Sequence, residues 1–168
     1  RRYFFNQLEI SIKKAKQENK RIALLFVDLD YFKNINDTLG HDIGDVLLKV
    51  VATRLEELVG SLGILARLGG DEFVVVIDDF SSDEVVEKLA IDIMTLFKER
   101  FEILDSSFNV TASIGISIFP DNSNSGVELL KQSDLAMYHA KELGRNRYCL
   151  FSKELSNILE QKMKIINS

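Results

Sequence analysis

Two short acidic clusters, Asp28-Leu29-Asp30 and Asp71-Glu72, hold the groups in this chain best suited to chemistry. The first ends the apolar run Ile22-Ala23-Leu24-Leu25-Phe26-Val27, and the second follows Ile64 to Leu68 across the pair Gly69-Gly70. Either cluster alone reads as solvated acids in a turn. At the ends of neighbouring strands, however, Asp28 and Asp71 would converge, and like charges that close are costly unless a cation lies between them. Carboxylates with no histidine or cysteine nearby favour a hard ion such as magnesium. Gly69 and Gly70 add backbone that can approach a phosphate, because no side chain intervenes.

The elements that must position these residues follow from periodicity. Tyr3, Phe4, Leu8 and Ile12 form the stripe of a first helix, and Arg21 to Asp28 reads as a central buried strand ending in acid. A short helix over Phe32–Leu39 closes at Gly40, and a longer one over Gly44–Leu58 carries Leu47, Val51, Leu55 and Leu58 on one face. Ile64–Leu68 and Phe73–Ile77 predict an antiparallel hairpin around the glycine pair. Ser81-Ser82-Asp83-Glu84 predicts a capping box opening a helix to about Phe101. Val110, Ala112, Ile114, Ile116 and Ile118 alternate with Thr111, Ser113, Gly115 and Ser117, the pattern of a strand with one buried face that ends at Pro120. Ser125-Gly126-Val127-Glu128 predicts a second capping box and a helix to Leu143, followed by an edge strand over Arg147–Phe151 and a charged helix from Ser152. This order predicts an α+β fold: a central, mostly antiparallel sheet flanked by helices, of ferredoxin-like or nucleotidyl cyclase-like palm type.

With 168 residues, 46% of them hydrophobic, the chain suits one compact core. A formal charge of -5 argues against a broad grip on nucleic acid and leaves a small anionic ligand held by a few local cations. Cys149, the one cysteine, excludes an internal disulfide and a thiolate metal cluster and reads as an apolar filler. No apolar run approaches the ~20 residues that cross a bilayer, so no membrane contact by this segment is expected, and a cytoplasmic location is, although the parent protein could be membrane-anchored. The chain opens inside a helix, as a piece cut from a longer polypeptide would.

The stretch Arg67-Leu68-Gly69-Gly70-Asp71-Glu72-Phe73 resembles the signature of the GGDEF family of diguanylate cyclases. Asp28-Leu29-Asp30-Tyr31-Phe32-Lys33-Asn34-Ile35-Asn36-Asp37 with Gly40-His41-Asp42-Ile43-Gly44-Asp45 is similar to the family's upstream block. Asp134-Leu135-Ala136-Met137-Tyr138, Ala140-Lys141 and Gly144-Arg145-Asn146 are similar to its C-terminal block. The resemblance covers residues 1–152 as the domain, with its N-terminal edge truncated, and leaves 153–168 as a connector helix.

It implies a diguanylate cyclase that condenses two GTP into cyclic di-GMP with release of pyrophosphate. Asp28, the backbone carbonyl of Leu29 and Asp71 would bind two magnesium ions, which manganese could replace, and Asp71 with Glu72 would help deprotonate the ribose 3'-hydroxyl. Asn36 and Asp45 match guanine-reading positions. Their chemistry suits the task, since a carboxylate accepts from guanine N1 and N2 and an amide both gives and accepts. Lys33, Lys141 and Arg145 match triphosphate contacts, Lys33 serving the catalytic step as well, and Gly69 and Gly70 bring backbone to phosphate. His41 reads as a structural turn residue. Each site would hold one GTP, so turnover would need a homodimer, normally imposed by a linked sensory domain.

The chain departs from the family pattern in two places. Many relatives carry an inhibitory Arg-x-x-Asp ahead of the glycine pair, where this chain reads Gly60-Ser61-Leu62-Gly63 and feedback through that site is not expected. The opening Leu-Thr-Gly-Leu stretch is absent. A different reading is a GTP-binding regulatory module in a tandem protein with a downstream EAL domain, because Lys153 to Ile166 resembles the connector into such domains. A palm-type nucleotidyl cyclase or polymerase would share the metal carboxylates, but Asn36 and Asp45 argue against ATP.

Overall fold

The computed structural model describes residues 2–78 and 80–167, with the side chains of 163–167 outside the description. The chain runs α1 (Arg2–Glu18), β1 (Ile22–Leu29), α2 (Phe32–Leu39), α3 (His41–Val59), a 3-10 turn over Gly60–Leu62, β2 (Gly63–Gly69), β3 (Glu72–Asp78) and α4 (Asp83–Leu96). A small hairpin, β4 (Phe101–Ile103) and β5 (Ser106–Phe108), precedes β6 (Ala112–Phe119), α5 (Gly126–Glu142), β7 (Arg147–Leu150) and α6 (Lys153–Asn167). Strand order in the main sheet is β2-β3-β1-β6-β7, antiparallel throughout except for the parallel β6–β7 pair at one edge. The α+β fold with a mostly antiparallel sheet is therefore present.

β1 lies in the middle, buried along its whole length, and pleating divides its side chains between two cores. Ala23, Leu25, Val27 and Leu29 pack with α3, α4 and the β4–β5 hairpin. Ile22, Leu24 and Phe26 face Phe4, Leu8 and Ile12 of α1 and Leu129, Leu130 and Met137 of α5. Asp28 has the parity of the second set, so it emerges on the α5 face at the strand's end.

Several boundaries differ from the sequence reading. The α1 stripe is Phe4, Leu8, Ile12 and Ala15, while Tyr3 points to solvent. α3 starts at His41 rather than Gly44, which places His41 in a helix instead of a turn. α4 ends at Leu96, because the alternating residues Phe101 and Ile103 turn into the core, where Phe101 packs beside Phe97, Phe108 and the Arg54 guanidinium. The first predicted capping box is not made: Ser82 is the N-cap and its side chain makes no capping bond. The second is made, Ser125 Oγ accepting from the Glu128 N–H at 3.4 Å.

The largest correction concerns β6, which is buried on both faces. Its small residues are a seat for α5 rather than a wet surface. Ser117 Oγ donates to the Leu129 carbonyl at 2.7 Å, and a Cβ on Gly115 would lie 2.0 Å from the Ser133 carbonyl oxygen and 2.2 Å from the Met137 nitrogen. Helix backbone thus rests directly on strand backbone. Gly115→Val should cost about 3 kcal/mol of stability through overpacking, read as a lower urea midpoint at unchanged slope.

Candidate active site

The β1–β3 register sets Asp28 opposite Glu72, so the two project to the same face, and the Leu29 N–H donates to the Asp71 carbonyl at 3.4 Å. The Asp71 carboxyl lies within hydrogen-bonding reach of Asp28. The two acids that the sequence places 43 positions apart do meet. The turn between β2 and β3 makes this possible: Gly70 sits at φ 48°, a region costly for side chains with a Cβ, and Arg67 Nε donates to the Gly70 carbonyl at 2.9 Å.

Asp28 is only 6% exposed. Burial first, then the neighbouring Asp71, push its carboxyl up to about 7, against the opposing pull of Lys141. Lys141, from the last turn of α5, forms an ion pair with Asp28 Oδ2. Asp28 Oδ1 is buried with no hydrogen-bond partner. An unpartnered anionic oxygen beside a second carboxylate suits a hard cation bound through oxygen. Among the described residues no three His, Cys, Asp or Glu side chains gather as a metal site.

The remaining candidates fall into two groups. Asn36 of α2 lies over α3, where a Cβ on Gly44 would come 1.8 Å from Asn36 Oδ1, and that buried oxygen has no partner. Asp45, the next residue, is exposed. Gly44 therefore leaves room for the Asn36 amide at the α2–α3 junction. Arg145 follows α5 and holds its guanidinium 4.5 Å from the centre of the Tyr31 ring. Lys33 stands exposed in the first turn of α2, and Gly69 and Gly70 have open space around them.

Sequence reasoning passed over Tyr31 as a platform for Arg145 and left Asp30 without a role. Asp30 is 2% exposed and bonded to Thr111, Ser113 and Asn146. The hydroxyls at 111 and 113, taken for a solvent-facing row, were the available signal.

A mixed sheet of this order, with paired carboxylates at the end of its central strand, is the architecture of a palm-like α+β domain. The solved GGDEF domain of TpbB from Pseudomonas aeruginosa is similar over 95% of this chain and 94% of its own, at TM-score 0.92 and 32% identity. The chain belongs to the GGDEF family, matching the family described as "Diguanylate cyclase, GGDEF domain" over residues 1–147. It is 36% identical over 162 residues to the bifunctional diguanylate cyclase/cyclic di-GMP phosphodiesterase MucR, and 37% identical over 152 residues to the cyclic di-GMP phosphodiesterase NbdA, both from P. aeruginosa. These alignments cover 96% and 90% of this chain but 24% and 19% of the relatives, so the chain spans a quarter or less of their length. No helix among the described residues is long and apolar enough to cross a membrane.

The raised Asp28 carboxyl fixes a pH dependence. Its proton is held more tightly in the folded state than at the ordinary value of 3.8, so its contribution to stability is complete below that value and is lost as pH rises toward about 7. In chelator-treated protein, melting temperature should fall across this window. Asp71→Asn should flatten the fall and raise the melting temperature at pH 8 by a few degrees, about what relieving 1 kcal/mol of repulsion gives. A divalent metal should raise the melting temperature of the wild type more than that of the same variant, as scanning calorimetry would report.

Proposed function

We propose that this domain is a diguanylate cyclase, joining two GTP head to tail into cyclic di-GMP with release of pyrophosphate. The observation that carries the reading is the meeting of Asp28 and Asp71 beside the Gly69-Gly70 turn, with Asp28 Oδ1 buried and unpartnered. Family membership supports the same chemistry.

Asp28, Asp71 and the Leu29 carbonyl are the proposed holders of two magnesium ions, with manganese an acceptable replacement. Bound there, the metal would lower the pKa of the attacking hydroxyl and offset charge on the phosphates. Asn36 and Asp45 read the guanine edge, where adenine would leave both unpaired. Lys33, Lys141 and Arg145 hold the triphosphate, and the backbone of Gly69 and Gly70 lies along it. Lys141 then exchanges part of its pairing with Asp28 for phosphate.

The ribose 3'-oxygen bonds to the α-phosphorus of the GTP on a facing domain, and its proton passes to the Asp71 and Glu72 carboxylates. The bond from that phosphorus to pyrophosphate breaks. Performed once in each direction, this closes the ring, so the active species is a homodimer. Residues 1–152 are the proposed domain and 153–168 a connector. In α6, Leu155 is buried while much of the helix surface stays exposed, and Lys162 pairs with Glu142 at 3.0 Å. Such a helix suits a passage between domains, with a sensory region before and an EAL domain after.

A second reading, a GTP-binding regulatory module within a tandem protein, draws on the likeness to NbdA, a phosphodiesterase by name. Turnover decides between them. With GTP and magnesium, cyclic di-GMP should form at a specific activity that rises with protein concentration, and Asp71→Asn should retain less than about 1% of it. ATP should not be turned over. Tight GTP binding without product would favour the regulatory module.

Feedback control should also differ from that of relatives with the Arg-x-x-Asp pair. The corresponding residues, Gly60 to Gly63, form a 3-10 turn entering β2 and carry no charge. Calorimetry should show no micromolar binding of cyclic di-GMP there, and Gly60→Ala should leave product inhibition unchanged.

A further inference from the structure

Asp30 has no part in the chemistry proposed above, yet its carboxylate accepts three hydrogen bonds. Thr111 Oγ1 donates to its Oδ2 at 2.5 Å, Ser113 Oγ to its Oδ1 at 2.7 Å, and the Asn146 N–H to its Oδ2 at 3.1 Å. Its own N–H donates to the Thr111 carbonyl at 2.9 Å. A buried carboxylate saturated by donors is a fixed point in the structure.

Two of these bonds tie β1 to β6 and would serve the sheet alone. The third does not. It reaches 116 residues along the chain to the turn that joins α5 to β7. In that turn Arg145 and Asn146 lie at φ 65° and 50°, a left-handed conformation that two consecutive non-glycine residues keep only where other contacts impose it. The Arg145 N–H donates to the Ala140 carbonyl at 3.0 Å, and the Asn146 N–H is secured by Asp30. Between these anchors the Arg145 side chain is delivered onto the ring of Tyr31, the residue after Asp30, itself at φ 59°. Asp30 thus governs both ends of the Arg145–Tyr31 contact.

We infer that Asp30 is a positioning residue: its carboxylate pins the Gly144–Asn146 turn and thereby presents Arg145 to the triphosphate of GTP. This rests on the reading of Arg145 as a triphosphate contact.

The test is calorimetric, using magnesium with 3'-deoxy-GTP, which lacks the attacking hydroxyl and so reads binding independently of turnover. Asp30→Ala should weaken binding about tenfold, the loss expected when one charge-assisted contact is misplaced. Asp30→Asn should restore it to within about threefold, since its oxygen can face Asn146 while its amide donates to Ser113. Thr111→Val and Ser113→Ala should lower the melting temperature but leave affinity unchanged, because the Asn146 bond survives. In an Arg145→Ala background, Asp30→Ala should change affinity less than about twofold, the non-additivity of groups acting as one.

Equal weakening by Asp30→Ala in both backgrounds, or weakening by Thr111→Val as large as by Asp30→Ala, would overturn the inference. Full affinity in Arg145→Ala alone would overturn the assignment of Arg145 and this inference with it, a result distinct from either of those. Should Asp30→Ala not fold, hydrogen exchange in the wild type carries the test. The Asn146 amide should exchange as slowly as those of β6, and exchange at the rate of an open loop would refute the anchor.

Discussion

Two carboxylates are held against each other at the end of a buried strand, and much of the architecture follows from what that requires. Charges of one sign do not approach in a low-dielectric place unless the backbone forces them and something positive answers them. Here the force is the β1–β3 register with its glycine turn, and one answer is Lys141. The central position of β1 matters for the same reason. An edge strand would let Asp28 turn to water, whereas between β3 and β6 it has nowhere else to point.

Lys141 can answer because α5 lies close against the backbone of β6. Ser113, Gly115 and Ser117 remove side-chain bulk from one face of β6, so the helix settles on strand backbone and its last turn arrives over Asp28. The turn that follows is then caught by Asp30. Packing along β6 thus sets where the cations of the site can be.

Much of this was legible in the residues. The run ending at Asp28, the glycine pair before Asp71 and the small helix Phe32–Leu39 are strong local signals, and each lies close to where the sequence puts it. The meeting of Asp28 and Asp71 needed only the inference that their strands are neighbours. What was misread depended on partners that the local pattern cannot show. Alternating serine and glycine in β6 looks the same whether it faces water or a close helix, and period alone does not separate them. Phe101 continued a helical stripe until the hairpin drew it inward. Asp30 looked like one more acid of a cluster because its donors at 111, 113 and 146 lie far along the chain.

Gly63 stands where the resemblance to the family places the aspartate of the inhibitory pair. It pairs with Ile77 in extended backbone, and a Cβ there would come 2.0 Å from the Val76 carbonyl oxygen. The position therefore lacks room as well as charge. A lineage that had lost the regulatory acid could not regain it here by reversing one codon, since strand β2 would first have to move away from β3. Where neighbouring backbone closes over a position in this way, a regulatory acid is more readily placed at another surface.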